Sequence, residues 1–273
     1  MGIIDVIFVI ILGIIEGITE WLPISSTAHL LILEKMFLPS SFTPEFLLLI
    51  DVVIQLGAIM ACVCIYFKKL YPFGFNESPT SKGIKIGIWK KIIISLMPLV
   101  FLGLLLDDIV VELFYNLFTI SIMLVLYGVL IIIFDNYNKK KQKEISIEKI
   151  SNIKAFLVGL VQVLAIIPGT SRSGVTILFA GILGLERKVA VEYSFFLAIP
   201  IMFGASLLKG FKYFINHNIV FNEIILLLIA TFTAFIVSMF VLKTLINLIK
   251  KINFKVFGFY RIVLGIIILL LIL

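Results

Sequence analysis

A chain of 273 residues that is 62% hydrophobic and 14% charged, with a mean hydropathy of +1.21, carries more apolar surface than a water-soluble globule can bury, so its solvent is lipid. The net charge of +7 is spread over short loops between apolar runs rather than gathered on one basic face, which argues against a nucleic-acid partner. Unbroken Ile, Leu, Phe and Val runs likewise exclude an outer-membrane barrel, whose segments of ~10 residues alternate apolar and polar.

The first apolar run, residues 3–15, is too short to cross a bilayer. It lacks a basic leader and enters Glu16 and Glu20 without a small-residue cleavage site, so it does not read as a signal peptide. Residues 1–35 are predicted instead to form a helix-loop-helix hairpin that enters and leaves by one face. Runs at about 46–66, 92–106 and 118–134 follow, most of them near the ~20 residues of a crossing helix. Cys62 and Cys64 stand two apart on the first of these and so point to different faces, as buried thiols rather than a metal clip or a disulfide. Asp135 to Asn152, with Lys139, Lys140 and Lys141, reads as a solvated cytoplasmic linker. A second hairpin is predicted over 153–186, then crossings at about 192–208, 222–242 and 257–273. The expected fold is all-α: one integral membrane domain, residues 1–273, with six transmembrane helices and two re-entrant hairpins. Pro98 and Pro200 are expected to kink crossing helices, Asp51 and Gln55, on one face of the first crossing helix, to line the site or to bond a neighbouring helix, with the second favoured, and Arg261 to snorkel from a cytoplasmic helix end.

This threading sorts the loops by charge. Segments 67–91, 135–152, 186–192 and 243–256 fall on one face and hold 17 Lys or Arg, against Lys35, Lys209 and Lys212 on the other. The sparse face also carries Asp107, Asp108 and Glu112, so the positive-inside rule puts the basic face in the cytoplasm and both termini outside.

The chain also repeats itself. Gly13 and Glu16 precede Pro23, Ser25 and Ser26 as Gly159 and Gln162 precede Pro168, Thr170 and Ser171. Glu45-Phe46 and Gly57-Ala58 return as Glu192-Tyr193 and Gly204-Ala205. Two halves follow, about 1–134 and 152–273, each with one hairpin and an odd number of crossings, so the second half is inverted. Inverted repeats with broken helices bring half-helix N-termini together near the midplane, where they can face an anion.

The polar residues concentrate at the two breaks. In the first, Glu16 and Glu20 share a helix face one turn apart, Pro23 ends that helix, and Ser25, Ser26 or Thr27 can cap the next. His29 lies one turn past Ser26. The second break reads Pro168-Gly169-Thr170-Ser171-Arg172-Ser173-Gly174-Val175-Thr176, again with serines opening a helix. A charged Arg172 at membrane depth costs about 2.5–3.5 kcal/mol on insertion scales and needs an anionic partner, either a phosphate or one of the two carboxylates. Singly, these serines are ordinary caps and the arginine is half of an ion pair. An Arg–Glu pair, however, leaves the second carboxylate, His29 and two serine-rich turns unexplained.

At these two loops the chain resembles the bacterial undecaprenyl-diphosphate phosphatases, the family also known for bacitracin resistance. Glu16-x-x-x-Glu20 with Pro23-x-Ser25-Ser26-Thr27-x-His29 is similar to the family's first motif, and Pro168 to Thr176 to its second, with Ala28 where a glycine is common. The resemblance covers the whole chain. It implies an inverted-repeat, six-crossing protein that cuts a long polyprenyl diphosphate to the monophosphate at the outer face of the cytoplasmic membrane, recycling the lipid carrier of cell-wall synthesis and conferring bacitracin resistance. A phosphatidic-acid-type lipid phosphatase is disfavoured, since its motif needs His six positions after Arg172, where Leu178 stands. A nucleotide-driven pump is disfavoured by the lack of a Gly-x4-Gly-Lys-Ser/Thr loop.

The expected chemistry places the diphosphate on Arg172, Ser171, Ser173, Thr27 and helix N-terminal amides, with Ser25, Gly169, Thr170 and Thr176 completing the binding set. Glu16 and Glu20 are candidate ligands of a divalent cation, Mg²⁺ or Ca²⁺. Ser26 is the candidate nucleophile with His29 as its general base; attack by His29 itself, or by a water activated by a glutamate, stays open. The partners expected are the polyprenyl diphosphate and membrane lipids, and a homodimer is compatible with a sequence that fixes no oligomeric state. The alternative function is a carrier that flips a lipid phosphate.

Overall fold

The structure, a computed structural model, describes residues 2–74, 77–138, 146–217, 220–249 and 253–272. Among these residues ten α-helices run in order: α1 (Ile3–Thr19), α2 (Ser26–Phe37), α3 (Pro44–Leu70), α4 (Pro79–Phe114), α5 (Leu117–Asn138), α6 (Asn152–Gln162), α7 (Arg172–Ile182), α8 (Arg187–Asn216), α9 (Phe221–Leu248) and α10 (Lys255–Ile272). Short 3₁₀ turns occupy Ile147–Lys149 and Val163–Ile166, and the described residues contain no strand. Six of these helices, α3, α4, α5, α8, α9 and α10, are long and apolar enough to cross a bilayer. The protein is therefore an all-α, multi-pass membrane protein, with the six crossings expected from its apolar runs. Lys139, Lys140 and Lys141 of the expected linker lie outside the described residues.

One boundary differs from its expectation. The run at 92–106 is the middle of α4, a single helix of 36 residues that continues into the acidic segment expected to be loop. Apolar content marks where a helix meets lipid, whereas its backbone ladder ends only at a breaker. That breaker is Asn116, whose Oδ1 accepts from the Thr119 amide at 2.8 Å and so caps α5. Neither Cys62 nor Cys64 is in a disulfide, and they stand on different faces of α3, Cys62 buried and Cys64 exposed.

The chain forms two compact units. The first comprises residues 1–21, 26–65 and 198–245. Its core takes Phe8, Val9 and Leu12 from α1, Leu30 from α2, Ile50 and Ile54 from α3, and Ala230 and Ala234 from α9. Small residues let the backbones meet: a Cβ on Gly13 would stand 2.6 Å from the Ala230 carbonyl, and one on Gly17 would stand 2.7 Å from Val237 Cβ. Asp51 of α3 shares a hydrogen bond with Glu34 of α2, the interhelical role expected of it.

The second unit comprises residues 22–25, 66–197 and 246–273. Here α6 presses on α4 at Gly159, where a Cβ would come 2.1 Å from the Ser95 carbonyl. Ser95 Oγ donates to the Ala155 carbonyl at 2.5 Å and lies 2.6 Å from the Tyr193 hydroxyl, which ties α4, α6 and α8 together. Helices α5 and α10 meet through Gly128 against the Gly258 carbonyl and Gly265 against the Ser121 carbonyl, each at 2.8 Å from a built Cβ. Gly13 and Gly159, equivalent by spacing, thus do the same work at different crossings.

Other equivalent glycines part company. A Cβ on Gly57 would stand 2.0 Å from the Thr231 carbonyl, whereas one on Gly204 meets nothing within 4 Å. Gly57→Ala is therefore expected to destabilise by about 1–3 kcal/mol through overpacking. Gly204→Ala should stay within about 0.5 kcal/mol of the parent, or gain from better helix propensity. Paired thermal melts of the two variants in detergent check this, and equal melting temperatures would remove the close-packing role of Gly57.

Candidate active site

The first break forms because α1 runs out of helix-compatible sequence at Pro23. Its last turn carries Glu16 and Glu20 one above the other, and the Glu20 amide still donates to the Glu16 carbonyl at 3.0 Å. Both side chains are buried, Glu16 to 0% and Glu20 to 6% exposure. The chain then turns tightly, Ile24 N–H donating to the Leu22 carbonyl at 2.8 Å, and restarts as α2 at Ser26. Ser26 is buried, and its hydroxyl donates to Glu20 Oε2 at 2.6 Å. Thr27 and His29 are half-buried in the first turn of α2.

The second break follows the same plan. Helix α6 ends at Gln162 and passes through the 3₁₀ turn into Ile167, which is extended. Thr170 N–H donates to the Ile167 carbonyl at 3.2 Å. Gly169 has φ +88°, and a Cβ there would lie 2.7 Å from the Ile120 carbonyl, so both the torsion and the space demand glycine. Ser171 caps α7, its Oγ accepting from the Gly174 amide at 3.1 Å. Arg172 is then the first helical residue, with Nη1 donating to the Ser194 carbonyl of α8 at 2.6 Å.

The two breaks share an uncommon torsion. Ser25 has φ +74° and Ser171 φ +71°, the only non-glycine residues with positive φ among those described. A serine in the left-handed region costs on the order of 1 kcal/mol, and such strain persists where the surroundings dictate it. In both places it falls on the residue just before a new helix, α2 in the first break and α7 in the second.

Within the second unit the two turns are bonded to each other. Ser173 Oγ donates to the Leu22 carbonyl at 3.1 Å and lies 3.2 Å from Ser171 Oγ. The strongest link is Arg261, whose side chain is wholly buried. Its Nη1 donates to the Pro23 carbonyl at 3.2 Å, and its Nη2 to the carbonyls of Gly169 at 2.7 Å and Thr170 at 3.1 Å. The expected snorkelling of Arg261 is thus overturned. Its side chain points at α5, and the sequence carried a sign of this in Gly258 and Gly265, three before and four after it, which mark the tightly packed face of α10.

Thr176, expected to bind substrate, lies with its hydroxyl 2.6 Å from Ser194 Oγ and 2.8 Å from the Arg172 carbonyl, where it fastens α7 to α8. Ser194 supports Arg172 through its carbonyl and Thr176 through its hydroxyl, and no sequence pattern singled it out. The hydroxyl of Thr170 and both amide atoms of Gln162, the repeat counterpart of Glu16, are buried without a partner among the described residues. Buried polar atoms of this kind are rare in folded proteins.

Of the donor types that a hard divalent cation takes, the first break supplies two carboxylates. Glu16 and Glu20 offer carboxylate oxygens one helical turn apart, with Glu20 Oε2 engaged by Ser26. No cluster of three or more His, Cys, Asp or Glu occurs among the described residues.

Comparison with known proteins agrees with these motifs. The family described as bacitracin resistance protein BacA matches residues 9–267. The undecaprenyl-diphosphatase of Desulfitobacterium hafniense is 47% identical over 99% of this chain and 97% of its own length. That of Acetivibrio thermocellus is 48% identical over 97% of each. That of Lachnoclostridium phytofermentans is 49% identical over 97% of this chain and 96% of its own length.

Proposed function

The chain belongs to the family of the bacitracin resistance protein BacA, and from that premise we propose that it hydrolyses undecaprenyl or a similar polyprenyl diphosphate to the monophosphate and inorganic phosphate. One observation carries the choice of hydrolase: the Ser26 hydroxyl donates a hydrogen bond to the buried carboxylate of Glu20 at 2.6 Å. A carrier needs groups that bind, not a hydroxyl poised beside a base.

In the first step Ser26 Oγ attacks the terminal phosphorus, the bond to the bridging oxygen breaks, and the polyprenyl monophosphate leaves. The Ser26 proton passes to Glu20 Oε2, its hydrogen-bonded partner. This differs from the expectation that His29 takes it; His29, one turn further along α2, serves the second step, removing a proton from the water that cleaves the phosphoserine, while Glu20 returns its proton to Ser26 Oγ as the serine oxygen leaves. Arg172 binds the phosphate oxygens through its planar fork, oriented by the Ser194 carbonyl, together with Ser171, Ser173, Thr27 and the turn around Ser25, Gly169 and Thr170. Glu16 and Glu20 would hold Mg²⁺ or Ca²⁺, which when bound neutralises charge on the phosphate oxygens. The loop charges support a cytoplasmic basic face and a site open to the outer face, with both termini outside and the hairpins re-entrant.

The test is phosphate release from a polyprenyl diphosphate by the purified protein in detergent, where no vectorial transport exists. Steady release over many turnovers is the expected result. Binding of the lipid without release would replace the hydrolase by a carrier.

A further inference from the structure

A buried arginine in a membrane protein answers either a carboxylate or backbone carbonyls, and Arg261 takes the second course. Among the described residues, every hydrogen bond of its guanidinium goes to a backbone carbonyl. Two of these, Met123 and Leu124, belong to α5 and receive longer bonds of 3.3 and 3.5 Å. The other three, Pro23, Gly169 and Thr170, belong to the broken segments, where no intrahelical amide is present to satisfy them. The ring of Tyr127 lies 5.8 Å from the guanidinium carbon. A Cβ built on Gly174, in the first turn of α7, would lie 3.5 Å from Nη1, which puts the guanidinium directly behind the Ser171–Gly174 turn.

From this geometry we infer that Arg261 is a positioning residue of the active site: one guanidinium pins the backbones of both motif turns and adds an un-neutralised positive charge behind the turn that receives the diphosphate. The inference rests on the reading that the Ser171–Gly174 turn binds that group. Its structural half follows from the donor count. Five N–H groups in a rigid fork can serve carbonyls from separate chain segments at once, which an ammonium on a flexible stem does less well. Its electrostatic half follows from burial, since a charge out of water and without a counter-ion acts at close range with little screening.

Two full-length variants in detergent, Arg261→Lys and Arg261→Gln, separate the halves. Lysine keeps the charge and loses the fork, so kcat should fall about 10- to 100-fold through misplaced turns, with KM within about threefold of the parent. Glutamine keeps some hydrogen bonding and loses the charge, so KM should rise at least about tenfold as well. In both, deuterium uptake should increase together in the peptides covering residues 22–25 and 168–174. If the glutamine variant does not fold, the lysine variant decides alone. Parental kcat and KM in a folded lysine variant, or unchanged exchange in either turn, would overturn the role of Arg261. A parent that releases phosphate while its variants match it sinks this inference alone. A parent that releases none sinks the hydrolase reading, and the paired rise in exchange then still tests the clamp.

Discussion

Replacing Arg172 by lysine is expected to lower kcat by about two orders of magnitude, with the melting temperature in detergent close to that of the parent. The guanidinium uses one arm to hold the Ser194 carbonyl at 2.6 Å, which fixes the plane of the fork. An ammonium can satisfy that carbonyl or approach a phosphate oxygen, but it has no second, coplanar pair of donors to match two oxygens. Steady-state kinetics on a polyprenyl diphosphate provides the check. Near-parental turnover would mean that Arg172 serves only to fasten α7 to α8. Ser194→Ala is a useful companion: the carbonyl that orients Arg172 survives that change, so its loss should be a small fraction of the Arg172→Lys effect.

The second large effect is expected at Ser26. Ser26→Ala should reduce turnover by at least about 10³-fold, because it removes the oxygen proposed to attack and leaves the Glu20 carboxylate buried without its 2.6 Å donor. Acid quench of the parent enzyme with substrate labelled in the terminal phosphate should trap a phosphoserine, stable to acid, that the variant does not form. A phosphohistidine, recovered under alkaline quench, would move the nucleophile to His29. If neither adduct forms and Ser26→Ala retains a tenth of the activity, water attacks directly and Ser26 is only the opening residue of α2.

The layout of the membrane helices was legible in the sequence because lipid imposes one rule on all of them: a run of about 20 apolar residues with its backbone satisfied internally. The residues at the two breaks were legible for a related reason, since glutamates, serines and an arginine inside such runs are costly and need a purpose. Helix ends were less so. Nothing in the apolar content of α4 shows that its ladder continues to Phe114. Arg261 was misread because hydropathy locates a charge along a helix axis but says nothing of its azimuth; only the glycines at 258 and 265 carried that. The roles of Ser194 and of the left-handed Ser25 and Ser171 depend on contacts and torsions for which a serine codon gives no local sign.

The reach of a few contacts along the chain bears on biosynthesis. Gly13 and Gly17 near the N-terminus find their partners at Ala230 and Val237, and the carbonyls of Pro23 and Gly169 find theirs at Arg261. A ribosome delivering this polypeptide to the insertion machinery releases α1 long before α9, and both turns before α10. Until α9 and α10 have been synthesised, the first hairpin has no docking face and the turn carbonyls lack their donor. Competence would therefore arrive late and all at once, and a nascent chain stopped short of Arg261 would hold every proposed catalytic side chain in a scaffold unable to set them.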